Sequence, residues 1–143
     1  MMTMMSDAQT FPRLFLWNGR PDKSALQRWV DSHSLGTASE LIALLSETGG
    51  GVLFETEVIL APFSGGLADH ADAVNREHRQ RGLPVDHWLF HTGVTLSAYS
   101  RTRQTYDELS PSYRTTQSFS SLEEWYVMVL RSEYAERYGL PER

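Results

Sequence analysis

Apolar residues recur at helical spacing in the first third of the chain, at strand spacing through its middle, and at helical spacing again near its end. Leu26, Trp29 and Val30 stand at i, i+3 and i+4, which predicts an amphipathic helix capped by Asp22 and ending near Ser32. Leu41, Leu44 and Leu45 make a second stripe, with Ile42 at its margin. Thr37 and Glu40 ahead of it form a capping-box pair, and Gly49 suits the left-handed position that ends a helix. From Val52 the period drops to two. Val52, Phe54, Val58 and Leu60 share one side; Gly51, Leu53, Glu55, Glu57 and Ile59 share the other. This is either one bent strand or two strands meeting near Glu55 and Thr56, and Pro62 ends it.

Residues 13–17 (RLFLW) are a short apolar run, a strand or a plug for the core, broken off by Asn18-Gly19-Arg20-Pro21. Residues 69–81 are highly charged, with Ala68, Ala71 and Val74 as a weak apolar stripe, and read as a peripheral helix or a partly ordered excursion. Residues 86–91 and 94–100 flank Thr92-Gly93 and predict a hairpin, residues 104–109 supply a further strand, and residues 113–119 fit no single pattern. Ser120 and Glu123 form a second capping box. Leu122, Trp125, Tyr126, Val129, Leu130 and Tyr134 then give the broad stripe of a final helix that reaches about Tyr138 and is stopped by Gly139 and Pro141. Helices at both ends with grouped strands between them predict an α+β fold: a mixed, largely antiparallel sheet with helices packed against it and a long C-terminal helix.

The 143 residues are enough for one domain with a sizeable core. We expect that domain over residues 11–143. The opening MMTMMSDAQT has neither the basic start nor the apolar run of a secretory signal, and residues 1–10 are expected to be a disordered terminus. There is no cysteine, which excludes disulfides and thiolate metal sites. A net charge of −5 lacks the basic footprint of a nucleic-acid binder. It suits a basic partner, although a charge of this size also simply keeps a small domain soluble. No apolar run approaches the ~20 residues of a membrane span, so no membrane contact and a cytoplasmic location are expected.

Candidate chemistry is sparse. His87 and His91 lie four apart on an expected strand, roughly 13 Å from each other, too far to share one metal. Asp69, His70, Asp72 and His78 ride on the polar helix. Asp69 and Asp72 could share a cation there, but His78 stands about 80° round the helix from His70, and a solvated charged face is the better reading. Glu55 and Glu57 on one side of a strand could act as acid and base, or could line an exposed face. The exposed face is the better reading, and its functional version is an acidic patch for a basic partner. Gly49-Gly50-Gly51 runs from helix to strand, the reverse of the order that cradles phosphate. Ser64-Gly65-Gly66 has the right order, but no Lys-Ser/Thr pair follows it, and Asp69 and Asp72 would repel an anion. No catalytic, metal-binding or cofactor-binding residues are expected.

Residues 39–63 (SELIALLSETGGGVLFETEVILAPF), read with the two ends of the chain, resemble the SUKH superfamily. The likeness is carried by Trp29, by Leu41, Leu44 and Leu45 followed by Glu47-Thr48-Gly49-Gly50-Gly51, and by Leu53-Phe54-Glu55-Thr56-Glu57 with Ile59-Leu60-Ala61-Pro62. Phe119-Ser120-Ser121-Leu122-Glu123-Glu124-Trp125 is similar to the family's closing helix. The similarity spans roughly residues 22–139. Two positions depart from it: Leu35-Gly36-Thr37 stands where many relatives have Leu-Pro, and Thr48-Gly49 where many have Asn-Gly.

The resemblance implies a compact α+β domain with no catalysis and no cofactor. The bacterial members are largely immunity proteins of polymorphic toxin systems. The implied function is therefore non-enzymatic binding and neutralisation of a cognate protein toxin, one that is basic and nuclease-like if it is to match the acidic charge. The superfamily also includes a fungal regulator of cell-wall assembly, so the alternative is an intracellular regulatory or scaffold domain. A hydrolase would need a deep pocket converging on His70, His78 or His87. Contact residues vary across such a family. Surface reasoning alone nominates Glu55, Glu57, Asp69, Asp72 and Glu77 for partner binding, with Trp88 if exposed.

Overall fold

Seven strands follow one another in space in the same order as in sequence. In a computed structural model that describes residues 2–63 and 69–142, they are β1 (Phe15–Trp17), β2 (Gly51–Leu53), β3 (Glu57–Ile59), β4 (His87–Thr92), β5 (Leu96–Ser100), β6 (Thr105–Leu109) and β7 (Thr115–Phe119). Every neighbouring pair is antiparallel, and a lone bridge between Ala61 and His70 is parallel. The helices are α1 (Thr3–Thr10), α2 (Lys23–Ser32), α3 (Ser39–Thr48), α4 (Ala71–Gln80), α5 (Leu122–Trp125) and α6 (Ser132–Tyr138). A π-helical stretch, Tyr126–Arg131, joins α5 to α6, so the C-terminal helix runs unbroken from Leu122 to Tyr138. The fold is α+β, as the pattern predicts. The loop expected at residues 64–66 lies outside the described residues.

The residues on either side of Glu55 form two strands rather than one bent strand. Phe54 and Glu55 both take positive φ, 51° and 70°, and turn the chain between β2 and β3. Phe54 is buried at this turn and stacks on Tyr134 with ring centroids 4.8 Å apart. Residues 113–119, ambiguous by pattern, supply β7.

Local end signals act as predicted where no tertiary partner competes. Asp22 caps α2 by accepting the Ala25 N–H at 2.9 Å. Gly49 and Gly139 end α3 and α6 with φ of 71° and 70°. Neither capping box forms as predicted. Thr37 Oγ1 bonds the Tyr99 hydroxyl at 2.7 Å, and Glu40 accepts the Leu122 N–H at 3.2 Å, so both side chains leave the start of α3 for distant partners. At α5 the cap is Ser121, which accepts the Glu124 N–H at 3.1 Å. Glu123 is engaged instead by the backbone and hydroxyl of Thr3.

That last contact belongs to a larger correction at the N-terminus. Residues 3–10, expected to be disordered, form α1. Met4 is wholly buried, and Asp7 is 5% exposed. The Asp7 carboxylate accepts from Arg131 Nε at 2.8 Å and from the Tyr126 hydroxyl at 2.6 Å. The π-helical widening sets Tyr126 and Arg131, five residues apart, toward the same carboxylate. Tertiary bonding orders a segment whose own helix signal is weak.

The charged stretch after residue 69 is not peripheral either. β3 pairs with β4 only at Thr92 and His91, which would leave the backbone of Leu89 without a ladder partner. Asn75 of α4 takes that place. It accepts the Leu89 N–H at 2.7 Å and donates to the Leu89 carbonyl at 3.0 Å. Ala71 and Val74, the weak stripe, are buried beside it.

Candidate functional site

The register of β4 against β5 slips between Leu89 and His91. The slip places His91 beside Ser97 and under the Trp125 ring, whose centroid lies 5.2 Å away. His91 Nδ1 is 2.8 Å from Ser97 Oγ, and His91 Nε2 is 2.8 Å from Glu57 Oε1. Trp125 Nε1 donates to Ser97 Oγ at 2.9 Å, and the Tyr134 hydroxyl donates to Glu57 Oε2 at 2.6 Å. With Trp125 donating to it, the serine hydroxyl can give its own proton to Nδ1. Nε2 then carries the hydrogen that Glu57 accepts. Burial pushes the Glu57 carboxyl up, but the bonds from His91 and Tyr134 outweigh it and hold the pKa below the ordinary glutamate value.

A serine, a histidine and a carboxylate in sequence have the connectivity of a nucleophilic triad. Here they are sealed: Ser97 and His91 are 0% exposed and Glu57 1%, and Trp125 and Tyr134 are buried with them. Gly93 packs against the group so closely that a Cβ there would stand 2.1 to 2.6 Å from the Glu57 carboxylate atoms. The arrangement ties three strands, β3, β4 and β5, to the C-terminal helix, and the serine is sealed from solvent.

The six nominated contact residues do not form one patch. Glu55 and Glu77 are exposed. Asp69 and Asp72 are half-buried at the start of α4. Asp72 accepts from Trp29 Nε1 at 2.8 Å and lies 3.1 Å from His33 Nε2, so its charge is already engaged. Glu77 pairs with Arg81 at 2.6 Å. Glu57 and Trp88 are not surface residues. Glu57 lies on the face that also carries Leu53 and Ile59, both buried, and those apolar neighbours were the sign that its side of the strand points inward. Trp88 is 5% exposed, packed on Trp29 and His33, with the Arg101 guanidinium 5.7 Å above its ring.

An open concavity lies at the tip of the β4–β5 hairpin. It has a volume of about 680 Å³ and is walled by Val94, Leu96, Leu109, Thr116, Tyr113 and His78. Its shape depends on Tyr113, which takes a φ of 66°, a conformation that costs a bulky residue about 1–3 kcal/mol. The His78 ring secures it, with Nδ1 2.7 Å from the tyrosine hydroxyl. His78 is held below the ordinary histidine value by burial and then by the charge of Arg81. At the rim, the Glu108 carboxylate accepts from Thr116 Oγ1 at 3.2 Å and from Gln117 Nε2 at 3.0 Å. Val94 stands out beside it, 71% exposed.

The cleft is open and mainly apolar, and of the three histidines considered for a hydrolase only His78 lines it. His87 is buried against Asp107 at 3.1 Å. No nominated residue lines the cleft. Periodicity marks Leu96 and Leu109 only as strand residues, and nothing in the sequence places the Tyr113 turn over them.

No known protein-family model matches the chain, and no curated protein matches it. Among the described residues no helix is long and apolar enough to cross a membrane.

Proposed function

We propose that this protein works by binding another protein, and that the partner is a toxin domain which it neutralises in the cytoplasm of the cell that makes both. The resemblance of residues 22–139 to SUKH immunity proteins supplies the partner class. One observation favours contact over reaction: the acid–base groups that the fold gathers are enclosed in the core, whereas the open concavity is apolar with a carboxylate at its rim. An apolar pocket with a polar rim suits the anchor side chain of a protein partner. A net charge of −5 favours encounter with a cationic toxin, and Glu55, Glu77 and Glu108 are the carboxylates placed to meet one.

Co-expression with a toxin domain encoded beside its gene tests this. The protein should restore growth and co-purify with the toxin. Val94→Arg combined with Thr116→Arg, both exposed positions on the cleft, should abolish rescue and co-purification while the circular dichroism spectrum still shows a folded protein. Folded protein that protects against no neighbouring toxin would sink the immunity reading. Full rescue by the double variant would move the contact away from the cleft.

A further inference from the structure

Among the described residues the sheet has three stretches of backbone edge without a neighbouring strand, and the chain treats them differently. β1 is three residues long. The edge of β4 beyond β3 is covered by Asn75. β7 ends the sheet on the other side with five residues, and Thr115, Thr116, Gln117 and Ser118 are all exposed. Side chains alternate between the two faces of a strand, so helices cover neither face of β7 along these four positions. None of the five is charged or a proline, the usual means of blocking an edge. Among the described residues no backbone hydrogen bond leaves β7 except to β6. One irregularity is present: a bulge at Thr116, whose hydroxyl is turned inward to the carbonyl and carboxylate of Glu108. Gln117–Phe119 continue in register beyond it.

We propose that β7 is a self-association edge, pairing antiparallel with β7 of a second copy of this chain. The occupant follows from the charges. A strand of neutral Thr, Gln and Ser residues offers nothing to select a charged foreign strand, yet it meets itself without opposing like charges. The charges flank it: Arg114 is exposed at one end, and the first turn of α5, with Glu123 and the exposed Glu124, stands at the other. Antiparallel self-pairing about the middle of β7 brings each Arg114 toward the acidic first turn of the other copy; parallel pairing would set like ends together. A five-residue edge buries far less than the roughly 1,000 Å² of a firm interface, so the dimer is weak and concentration-dependent. This inference does not depend on the toxin reading.

Sedimentation equilibrium from micromolar to millimolar concentration reads it directly. The mass should rise from the 16.3 kDa monomer toward twice that value. Gln117→Lys, which opposes two cations across the two-fold axis, should hold the protein monomeric with an unchanged circular dichroism spectrum. The chain has no cysteine, so a single Gln117→Cys gives an independent readout. Directly opposed strand residues have Cα atoms about 4.5–5.5 Å apart, within disulfide reach. That variant should form a disulfide dimer at least tenfold faster under mild oxidation than a Val85→Cys control at another exposed site. A wild-type protein monomeric throughout overturns the proposal. So does cross-linking no faster than the control, or a dimer that survives Gln117→Lys.

Discussion

The Glu57 carboxylate and the His91 imidazole meet at 2.8 Å with 1% and 0% of their side chains exposed. They come from different hairpins, and β3 and β4 are paired by only two register positions at this point. The side-chain bond therefore supplies much of what fixes β4 to β3, and the Tyr134 hydroxyl extends it to the C-terminal helix. Removing the carboxylate takes the acceptor from four donors at once: His91 Nε2, the Tyr134 hydroxyl, the Val94 N–H and the Thr56 hydroxyl.

Glu57→Ala should therefore destabilise the fold by about 3–5 kcal/mol, the range for breaking a buried charged pair from one side. Glu57→Gln keeps an acceptor oxygen and should cost less, about 1–3 kcal/mol. Urea denaturation of both variants measures this. Equal costs would mean that shape, not the carboxylate, matters at this position.

Gly93→Ala tests the same site from the steric side. The added methyl cannot fit against the carboxylate, and overpacking of this kind typically costs about 1–3 kcal/mol. The penalty should largely vanish when Glu57 is already alanine, because the atoms in the way are gone. A double-mutant cycle reads that coupling, and strictly additive costs would show that Gly93 is required for some other reason.

Acid should weaken the protein through groups whose carboxyls are held low. Burial pushes Asp86 up, but bonds from the Ser100 and Thr102 hydroxyls and the Thr102 N–H outweigh it and set the carboxyl at about 2. Glu57 is likewise lowered. A carboxyl with a depressed folded-state value stabilises fully above its unfolded value of about 4 and loses that contribution as pH falls through the folded value. The carboxyl contribution should thus hold from neutral pH down to about 4 and decline below it, after an earlier and separate loss as pH falls through the unfolded histidine value of about 6.5, because His78 is held low in the fold. The Asp86 carboxyl carbon, followed by NMR, should titrate near 2 and move up in Ser100→Ala.

Much of the fold was legible because local signals and tertiary structure agree there. The stripe of Leu26, Trp29 and Val30, the Gly49 stop, and the hairpin about Thr92-Gly93 all form as the sequence predicts. Prediction failed where a polar side chain has a distant partner. Thr37 and Glu40 have the spacing of a cap but bond Tyr99 and Leu122. Glu57 shares its face with Ile59 and, across β2, with Leu53, both buried, but nothing local announces the pairing of β3 with β4 that sets it against His91. The bulge that brings His91 next to Ser97 has no glycine or proline to announce it, so the buried triad was invisible to motif spacing.

Asn75→Ala should remove the substitute for a missing strand. It leaves the Leu89 N–H and carbonyl without their bonds, and the cost should be about 2–4 kcal/mol, near the sum of two buried unsatisfied groups. Hydrogen exchange should localise the loss: the Leu89 amide should lose protection first, with the β5 and β6 amides still protected. Uniform loss across the sheet would mean that Asn75 acts through α4 packing instead.

Asp7 decides whether α1 belongs to the domain. Its carboxylate sits between Arg131 and Tyr126, and the Tyr126 phenol is pushed up by burial and then by the bond to Asp7, so it remains a donor. Asp7→Ala leaves a guanidinium and a hydroxyl buried without their acceptor and should cost about 3–5 kcal/mol. Replacing the pair together, Asp7→Leu with Arg131→Met, removes both charges from the interior and should recover most of that loss, since apolar substitutes for a buried ion pair are often neutral. Chemical denaturation of the single and double variants distinguishes the cases. A loose N-terminal segment would make Asp7→Ala a surface change worth less than about 0.5 kcal/mol, and that outcome would detach α1 from the fold.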